Sequence, residues 1–299
     1  MAIAGYTSWQ EGVCDLTETF DLFRPDVQTA PFVFSSPHSG RAYPQAFRDQ
    51  SRLDDVTLRS SEDAYVDLLF ADAPGFGAPL LAARAPRAFL DLNRAADELD
   101  PALIDGVPRL HHNPRINSGL GVVPRVVSGG RHIYGGRLDR EEALARVNGF
   151  WHPYHKQLRN LMFETTERFG RAVLVDCHSM PHEAIETHAR PGSPSPDVVL
   201  GDRFGASASG DVVGRIEAAF VDAGLRVARN TPFAGAYITQ AYGRPSRGQH
   251  VVQIEIDRAL YLDEARVEPR ADFAAFQALI SGVIAQITGA AQGKPMAAE

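Results

Sequence analysis

The residues best suited to chemistry stand at the ends of predicted strands. Residues 171–181 form a short apolar run rich in β-branched residues, which predicts a buried strand of an α/β sheet. The run ends in Asp176, His178 and Ser179, and open α/β sheets bind ligands at the carboxyl ends of their strands. His178 could therefore ligate a metal ion, with Asp176 orienting its ring from the same side of the strand. Alternatively, His178 is a buried histidine whose hydrogen bonds are satisfied by Asp176.

Two histidines and one carboxylate from separate elements are the usual ligand set of a catalytic zinc site, which leaves one position for water. His38 follows the predicted strand at 31–36, and Asp63 lies in a helix predicted over 55–73. With His178 they complete such a set. Glu62 is a close competitor for the carboxylate position, and Asp63 could instead face solvent on its helix.

Glu255 lies within the apolar run 250–257, where a carboxylate needs a partner or a role. Beside the water of a zinc site it would act as the general base. The alternative is that Glu255 only forms an ion pair with an arginine.

The composition limits the function classes. The chain has 299 residues, 44% hydrophobic and 22% charged, which are ordinary globular values. Its net charge of −7 argues against a nucleic-acid partner or an anionic membrane surface. We find no signal peptide and no apolar stretch long enough to span a bilayer. Two cysteines do not form a disulfide framework. We expect a cytoplasmic protein whose partner is a small molecule.

The predicted elements alternate in the manner of an α/β protein. We expect a single domain over residues 1–299, with a central mixed sheet flanked by helices and a flexible tail at 292–299. Strands are predicted at 31–36, 79–84, 88–92, 171–181, 198–200, 225–229 and 250–257. Helices are predicted at 55–73, 139–169, 211–223 and 272–291, the second kinked at Pro153 and closed by Gly170.

Residues 97–136 are too long and irregular for a passive connection and are predicted to be an active-site insertion. Residues 106–138 contain no Asp or Glu. A solvated loop explains this cationic stretch adequately, but so does a pocket for an anionic substrate. Its arginines are Arg109, Arg115, Arg125, Arg131 and Arg137.

An ordered set of segments resembles the N-formylglutamate amidohydrolases, a family similar in core fold to the zinc carboxypeptidases and aspartoacylases. Each segment is weak alone, but together they span most of the chain in the family's order. They lie at residues 36–40, 63–67, 91–94, 153–155, 176–179, 235–239, 242–243 and 250–255.

The resemblance implies one zinc ion, or another divalent metal, held by His38, Asp63 and His178, with Glu255 as the general base. Asn93 and Arg94 match the segment that, in the carboxypeptidases, binds the carboxylate of the substrate. For the mechanism we further predict that His250 binds the substrate, that Arg131 stabilises the oxyanion and that Asp176 orients His178.

The implied substrate is a small anionic N-acyl amino acid. The expected reaction is hydrolysis of N-formyl-L-glutamate to formate and L-glutamate, a step in histidine breakdown. Two alternatives remain open at this stage. One is a deacylase or carboxypeptidase-like hydrolase that acts on another N-acyl amino acid. The other is a catalytically inactive binding module with the same fold.

Overall fold

A seven-stranded mixed sheet runs through the centre of the molecule. The computed structural model describes residues 18–108, 113–186 and 195–290. The strands of this sheet are β1 (Phe20–Phe23), β2 (Phe32–Ser36), β3 (Leu80–Ala83), β4 (Ala172–Met180), β5 (Val198–Gly201), β6 (Val227–Arg229) and β7 (Gln249–Asp257). Their order is β1-β3-β2-β4-β7-β5-β6. Strands β3, β2, β4 and β7 are parallel neighbours, whereas β1 and β5 run antiparallel to β3 and β7.

The centre of the sheet is the pair β4 and β7, which hydrogen-bond along nine residues each. Side chains alternate between the two faces of a strand. Val173 and Val175 accordingly pack in the core on one face, and Leu174 packs in the core on the other. Burial on both faces explains why these strands are almost continuously apolar in the sequence. A polar residue within them is therefore buried by the fold.

Helices cover both faces of the sheet. They are α1 (Gln45–Gln50), α2 (Asp55–Arg59), α3 (Val66–Leu69), α4 (Pro114–Asn117), α5 (Arg140–Arg146), α6 (His152–Phe169), α7 (His182–Glu186), α8 (Gly210–Asp222), α9 (Tyr237–Tyr242) and α10 (Phe273–Thr288). Residues of α3, α8 and α10 line one core, and residues of α5 and α6 line the other. A small hairpin, β8 (Leu262–Asp263) with β9 (Glu268–Pro269), follows the sheet.

The predicted fold class, one α/β domain with a central mixed sheet between helices, is confirmed. The strand predicted at 88–92 is wrong. The Pro86 carbonyl accepts the N–H groups of Phe89 and Leu90 at 2.9 and 3.2 Å, which closes a turn. Leu90 and Leu92 are nevertheless buried. The apolar character of this segment therefore reflects packing and not sheet pairing.

The helix predicted over 55–73 is also wrong, because the helical structure is interrupted between α2 and α3. The Asp63 N–H donates to the His38 carbonyl at 3.0 Å and not to a carbonyl of its own helix. Tyr65 then adopts the left-handed conformation with a φ of 62°, which few residues other than glycine take up. Glu62 and Asp63 consequently lie in a loop that turns toward the end of β2.

The remaining long elements follow the prediction more closely. A π-helical turn at Val147–Trp151 joins α5 to α6, with Pro153 in the first turn of α6. Gly170 ends α6 with a φ of 71°. The tail at 292–299 lies outside the described residues. The insertion at 97–136 is described except for 109–112, and its role stays a prediction. In the described ranges, no helix is long and apolar enough to cross a membrane.

Candidate active site and metal centre

Three side chains meet at the carboxyl edge of the parallel strands. His38 lies two residues beyond β2, His178 lies near the end of β4, and Asp63 comes from the loop after α2. The Asp63 Oδ2 atom is 2.8 Å from His178 Nδ1 and 3.3 Å from His38 Nδ1. All three are buried, and one potential ligand atom from each lies within 4.8 Å of the others. This is the ligand set predicted from the sequence.

Local backbone geometry brings the loop after β2 against the neighbouring chain. Gly40 lies so close to the segment after β3 that a Cβ atom would stand 2.1 Å from the Ala85 carbonyl oxygen. Only glycine permits that approach. The Asp63 N–H bond to the His38 carbonyl then fixes the second loop. The close packing of these backbones holds His38 and Asp63 side by side.

The structure also separates the two competing carboxylates. Glu62 points away from the histidines, where it accepts a hydrogen bond from Tyr43 Oη at 2.6 Å and pairs with Arg59 at 3.1 Å. Of these two carboxylates, Asp63 is the one that contacts both imidazoles. Glu62 stabilises the loop through Tyr43 and Arg59.

Each of the three groups is held from behind by a charged side chain. His38 Nε2 is 2.8 Å from Asp91 Oδ1, and His178 Nε2 is 3.1 Å from Asp176 Oδ2. Arg258 Nη2 donates to Asp63 Oδ1 at 2.9 Å. Carboxylates behind ligating imidazoles fix the ring orientation and direct the free nitrogen toward a metal.

The residues fit a divalent cation. His38 Nδ1 is buried and has no hydrogen-bond partner in the part of the chain that the structure describes. Both Nε2 atoms contact carboxylates, and both Nδ1 atoms lie on the Asp63 side of their rings. The two Nδ1 atoms and the Asp63 Oδ2 atom could therefore bind one cation, which would replace the hydrogen bond between His178 and Asp63. Two imidazoles and one carboxylate are the donors of a catalytic zinc site.

Glu255 lies beside this cluster. It is the partner of His178 in the register between β4 and β7. Gln253 Nε2 donates to Glu255 Oε1 at 2.7 Å, and the Ala236 N–H fixes the amide by donating to Gln253 Oε1 at 3.0 Å. Burial raises the pKa of Glu255 to about 7, against the charge of nearby His178. A carboxylate in this setting can take up and release a proton near neutrality.

His38, His178 and Glu255 line one cavity of about 600 Å³, a volume typical of small-molecule sites, and Asp63 is buried against the two histidines. Residues 118–130 of the predicted insertion and residues 232–236 form much of its wall. Among the described residues, four arginines also line it, and two of them are paired with acids of the site. Arg87 Nε is 3.1 Å from Asp91 Oδ2, and Arg258 pairs with Asp63. The cavity therefore combines the candidate metal ligands, a carboxylate base and cationic side chains.

Arg94 lines the cavity, as a substrate-binding residue should, whereas the Asn93 side chain is already engaged. Asn93 Oδ1 accepts the Ile238 N–H at 2.7 Å, and Nδ2 donates to Asp176 Oδ2 at 3.4 Å. Asn93 thus holds Asp176 behind His178. Arg94 is buried and, within the part of the chain that the structure describes, donates to the carbonyl oxygens of Leu120 and Asn93.

The predictions for His250 and Arg131 need correction. His250 lies at the amino end of β7, five residues before Glu255, which is about 17 Å along the strand. There it contacts Ser209. Arg131 is exposed and directed to the hydroxyl groups of Thr57 and Ser60 at 3.3 and 3.1 Å. It is not part of the cavity wall.

Sequence reasoning missed three charged residues of the site: Arg87, Asp91 and Arg258. Arg87 Nη1 is 4.0 Å from Asp63 Oδ1, so Arg87 takes the place near the reacting centre that was predicted for Arg131. Asp91 begins the 91–94 segment, which offered a signal. Arg258 is the first residue after β7, at the same sheet edge as Glu255. Its position past the strand end was a second usable signal.

The fold and the site together define a class: an α/β protein of the hydrolase type, with a buried glutamate and a candidate metal centre at one cavity. The sequence model of the N-formylglutamate amidohydrolase family matches residues 30–262. An N-formylglutamate deformylase of Pseudomonas aeruginosa is 30% identical over 249 residues, covering 82% of this chain and 87% of that protein. An N-formylglutamate deformylase of Pseudomonas putida is 30% identical over 237 residues, covering 78% and 82%.

A solved structure agrees with the sequence comparisons. The crystal structure of N-formylglutamate amidohydrolase from Ralstonia eutropha has a TM-score of 0.85 and 33% identity, covering 92% of this chain and 99% of that one. A gene product of Agrobacterium tumefaciens shares the fold at a TM-score of 0.62 and 17% identity, covering 92% of this chain and 96% of that one. The chain belongs to the N-formylglutamate amidohydrolase family, as the sequence resemblance predicted.

Proposed function

We propose that this protein hydrolyses N-formyl-L-glutamate to formate and L-glutamate, with one zinc ion held by His38, Asp63 and His178. The observation that carries the proposal is the convergence of these three side chains, two of which, His38 and His178, line one cavity together with Glu255. The names of the relatives from both Pseudomonas species and from Ralstonia support the substrate. Other divalent metals could occupy the same donors.

When bound, the zinc ion would lower the pKa of a water molecule and polarise the formyl carbonyl. Asp91 and Asp176 hold the two imidazoles through Nε2, so that each Nδ1 atom would be available to the ion. Arg258 donates to Asp63 Oδ1, whereas Oδ2 lies near both Nδ1 atoms and would serve as the third ligand atom.

Glu255 moves the proton. Its carboxylate accepts a proton from the attacking water as the new C–O bond forms at the formyl carbon. The same carboxyl group then donates that proton to the nitrogen of glutamate as the C–N bond breaks. Burial raises the pKa of this carboxyl group, which favours its holding the proton between the two transfers. Gln253 keeps Glu255 in place through its fixed amide.

Arg87 and Arg94 interact with the negative charges of the substrate and of the reaction. The Arg87 guanidinium lies 4.0 Å from Asp63 and lines the cavity, so it can stabilise the negative charge that develops on the formyl oxygen. Arg94 has no carboxylate partner among the described residues, and it would bind a carboxylate of the substrate. The predicted cytoplasmic location and the role in histidine breakdown stay predictions.

Formate release by the purified, metal-analysed protein tests the proposal. We expect turnover of N-formyl-L-glutamate and a strong loss in the Glu255→Gln variant. N-acetyl-L-glutamate and an N-formyl dipeptide serve as competing substrates. Preferred turnover of the acetyl compound would favour the deacylase alternative. Absence of turnover with every substrate, in protein that carries metal, would favour the binding module.

A further inference from the structure

A second guanidinium that has no acidic partner among the described residues lines the cavity with Arg94. Arg115 lies in the short helix α4, and both arginines line the cavity. Leu120 connects their segments: its N–H donates to the Arg115 carbonyl at 2.8 Å, and its own carbonyl accepts from Arg94 Nε at 3.0 Å. The two cationic side chains therefore belong to the same wall.

Arg115 differs from the other arginines of the acid-free stretch 106–138. Arg125 and Arg137 pair with aspartates, and Arg131 donates to hydroxyl groups and a backbone carbonyl. Arg109 lies outside the described residues. Within the described ranges, the Arg115 guanidinium forms neither a hydrogen bond nor an ion pair with a carboxylate. The stretch 106–138 around it contains no Asp or Glu. An unpaired guanidinium on a cavity wall favours an anionic ligand.

Two of the guanidinium groups that line the cavity have no carboxylate partner among the described residues. Of the four arginines that line it in the described ranges, Arg87 pairs with Asp91 and Arg258 pairs with Asp63. Arg94 and Arg115 remain. Burial lowers the pKa of Arg94, partly offset by Asp91, and the charges of Arg87 and Arg115 add to the lowering. A ligand with two carboxylates would relieve this concentration of positive charge.

We propose that Arg115 is a specificity-determining residue, which binds the side-chain carboxylate of the substrate while Arg94 binds its α-carboxylate. The site would then select N-formyl amino acids with an acidic side chain over those with a neutral one. This inference rests on the proposed function for the identity of the acyl group. It adds the residue that distinguishes glutamate from its neutral analogues.

A comparison of two substrates tests the inference. N-formyl-L-glutamine differs from N-formyl-L-glutamate by one amide in place of the side-chain carboxylate. The Arg115→Ala variant should lose about 10- to 100-fold in kcat/KM for the glutamate substrate, chiefly through KM, because a charge-assisted contact is lost. Its kcat/KM for the glutamine substrate should stay within about 3-fold of the wild-type value. Arg94→Ala should lower both.

Arg140→Ala is the matched control, since Arg140 is exposed at the start of α5 and lies outside the cavity wall. It removes the same charge and should leave both substrates unchanged. Equal losses for both substrates in Arg115→Ala, or no loss for either, would overturn the inference while leaving the proposed function intact.

A binding measurement separates this inference from the proposed function. Calorimetric titration of the metal-loaded protein with glutarate, which has two carboxylates, and with butyrate, which has one, needs no turnover. Wild-type protein should prefer glutarate, and Arg115→Ala should lose about 10-fold or more of that preference. Should the wild type release no formate, the proposed function fails, and the glutarate preference still decides the role of Arg115. A preference that survives the substitution refutes that role.

Discussion

Replacement of Glu255 by glutamine removes the proposed base with little other change to the site. Gln has the same shape, and its carbonyl oxygen can still accept the hydrogen bond that Gln253 donates at 2.7 Å. The amide cannot take up the proton of the attacking water. Loss of a general base lowers rates by about 10²- to 10⁴-fold. That range corresponds to about 3–5 kcal/mol in the activation barrier, at about 1.4 kcal/mol for each factor of ten.

The assay is formate release at saturating N-formyl-L-glutamate, with metal content measured on the same preparation. We expect Glu255→Gln to keep the wild-type metal stoichiometry and thermal midpoint while kcat falls by at least about 100-fold. Glu255→Asp, which keeps a carboxylate one methylene further back, should retain more activity than the glutamine variant. A glutamine variant within about 10-fold of the wild-type kcat would refute the assignment of Glu255 as the base.

Three further predictions concern the metal and the stability of the fold. Asp91→Asn should weaken zinc binding by about 10- to 100-fold, as measured by competition with a chelating dye, because it removes the carboxylate behind His38. His178→Ala should lose the metal, and unchanged zinc content would break the ligand assignment. Burial lowers the pKa of His155 to about 3, below its unfolded value of about 6.5. Below pH 6.5 the unfolded chain therefore binds a proton at this residue, whereas the folded chain does not. As the pH decreases from 6.5, this difference should lower the free energy of unfolding by up to about 1.4 kcal/mol per pH unit. Urea unfolding at pH 7 and pH 5 should show a smaller acid loss in His155→Gln than in the wild type; equal losses would contradict this contribution.

The sequence was sufficient to locate the edge of the sheet where the candidate site lies. Asp176 and His178 share one side of β4, and Glu255 lies opposite His178 on β7. The first relation follows from the two-residue period of strands. The second depends on the pairing of β4 with β7, which the structure shows and the local pattern does not predict. The apolar runs that predicted the strands are the runs that the core buries. Strand ends and strand faces are local properties, and for this reason they could be predicted.

The choice between Glu62 and Asp63 could not be made in this way. The predicted helix over 55–73 would have placed both on one regular element. In the structure, Tyr65 takes a left-handed conformation, and the Asp63 N–H bonds to His38, a residue 25 positions earlier. Such a long-range bond overrides helix propensity and has no signal in the local pattern.

His250 and Arg131 also show that a local sequence pattern does not decide which side chains reach the cavity. His250 shares a strand with Glu255, but a strand has two ends, and only the carboxyl end lies at the cavity. Arg131 lies in the cationic stretch that contributes to the wall, yet its side chain turns to Thr57 and Ser60. Composition identified the stretch, whereas long-range contacts decided which arginine faces the cavity.

The proposed activity depends on one cation held between His38, Asp63 and His178. X-ray diffraction at the zinc absorption edge, on crystals of protein that releases formate, tests this most directly. We expect one anomalous peak at bonding distance, about 2.0–2.2 Å, from both Nδ1 atoms and from Asp63 Oδ2. Active crystals without a peak at these three atoms, or with the only peak elsewhere in the molecule, would contradict the account.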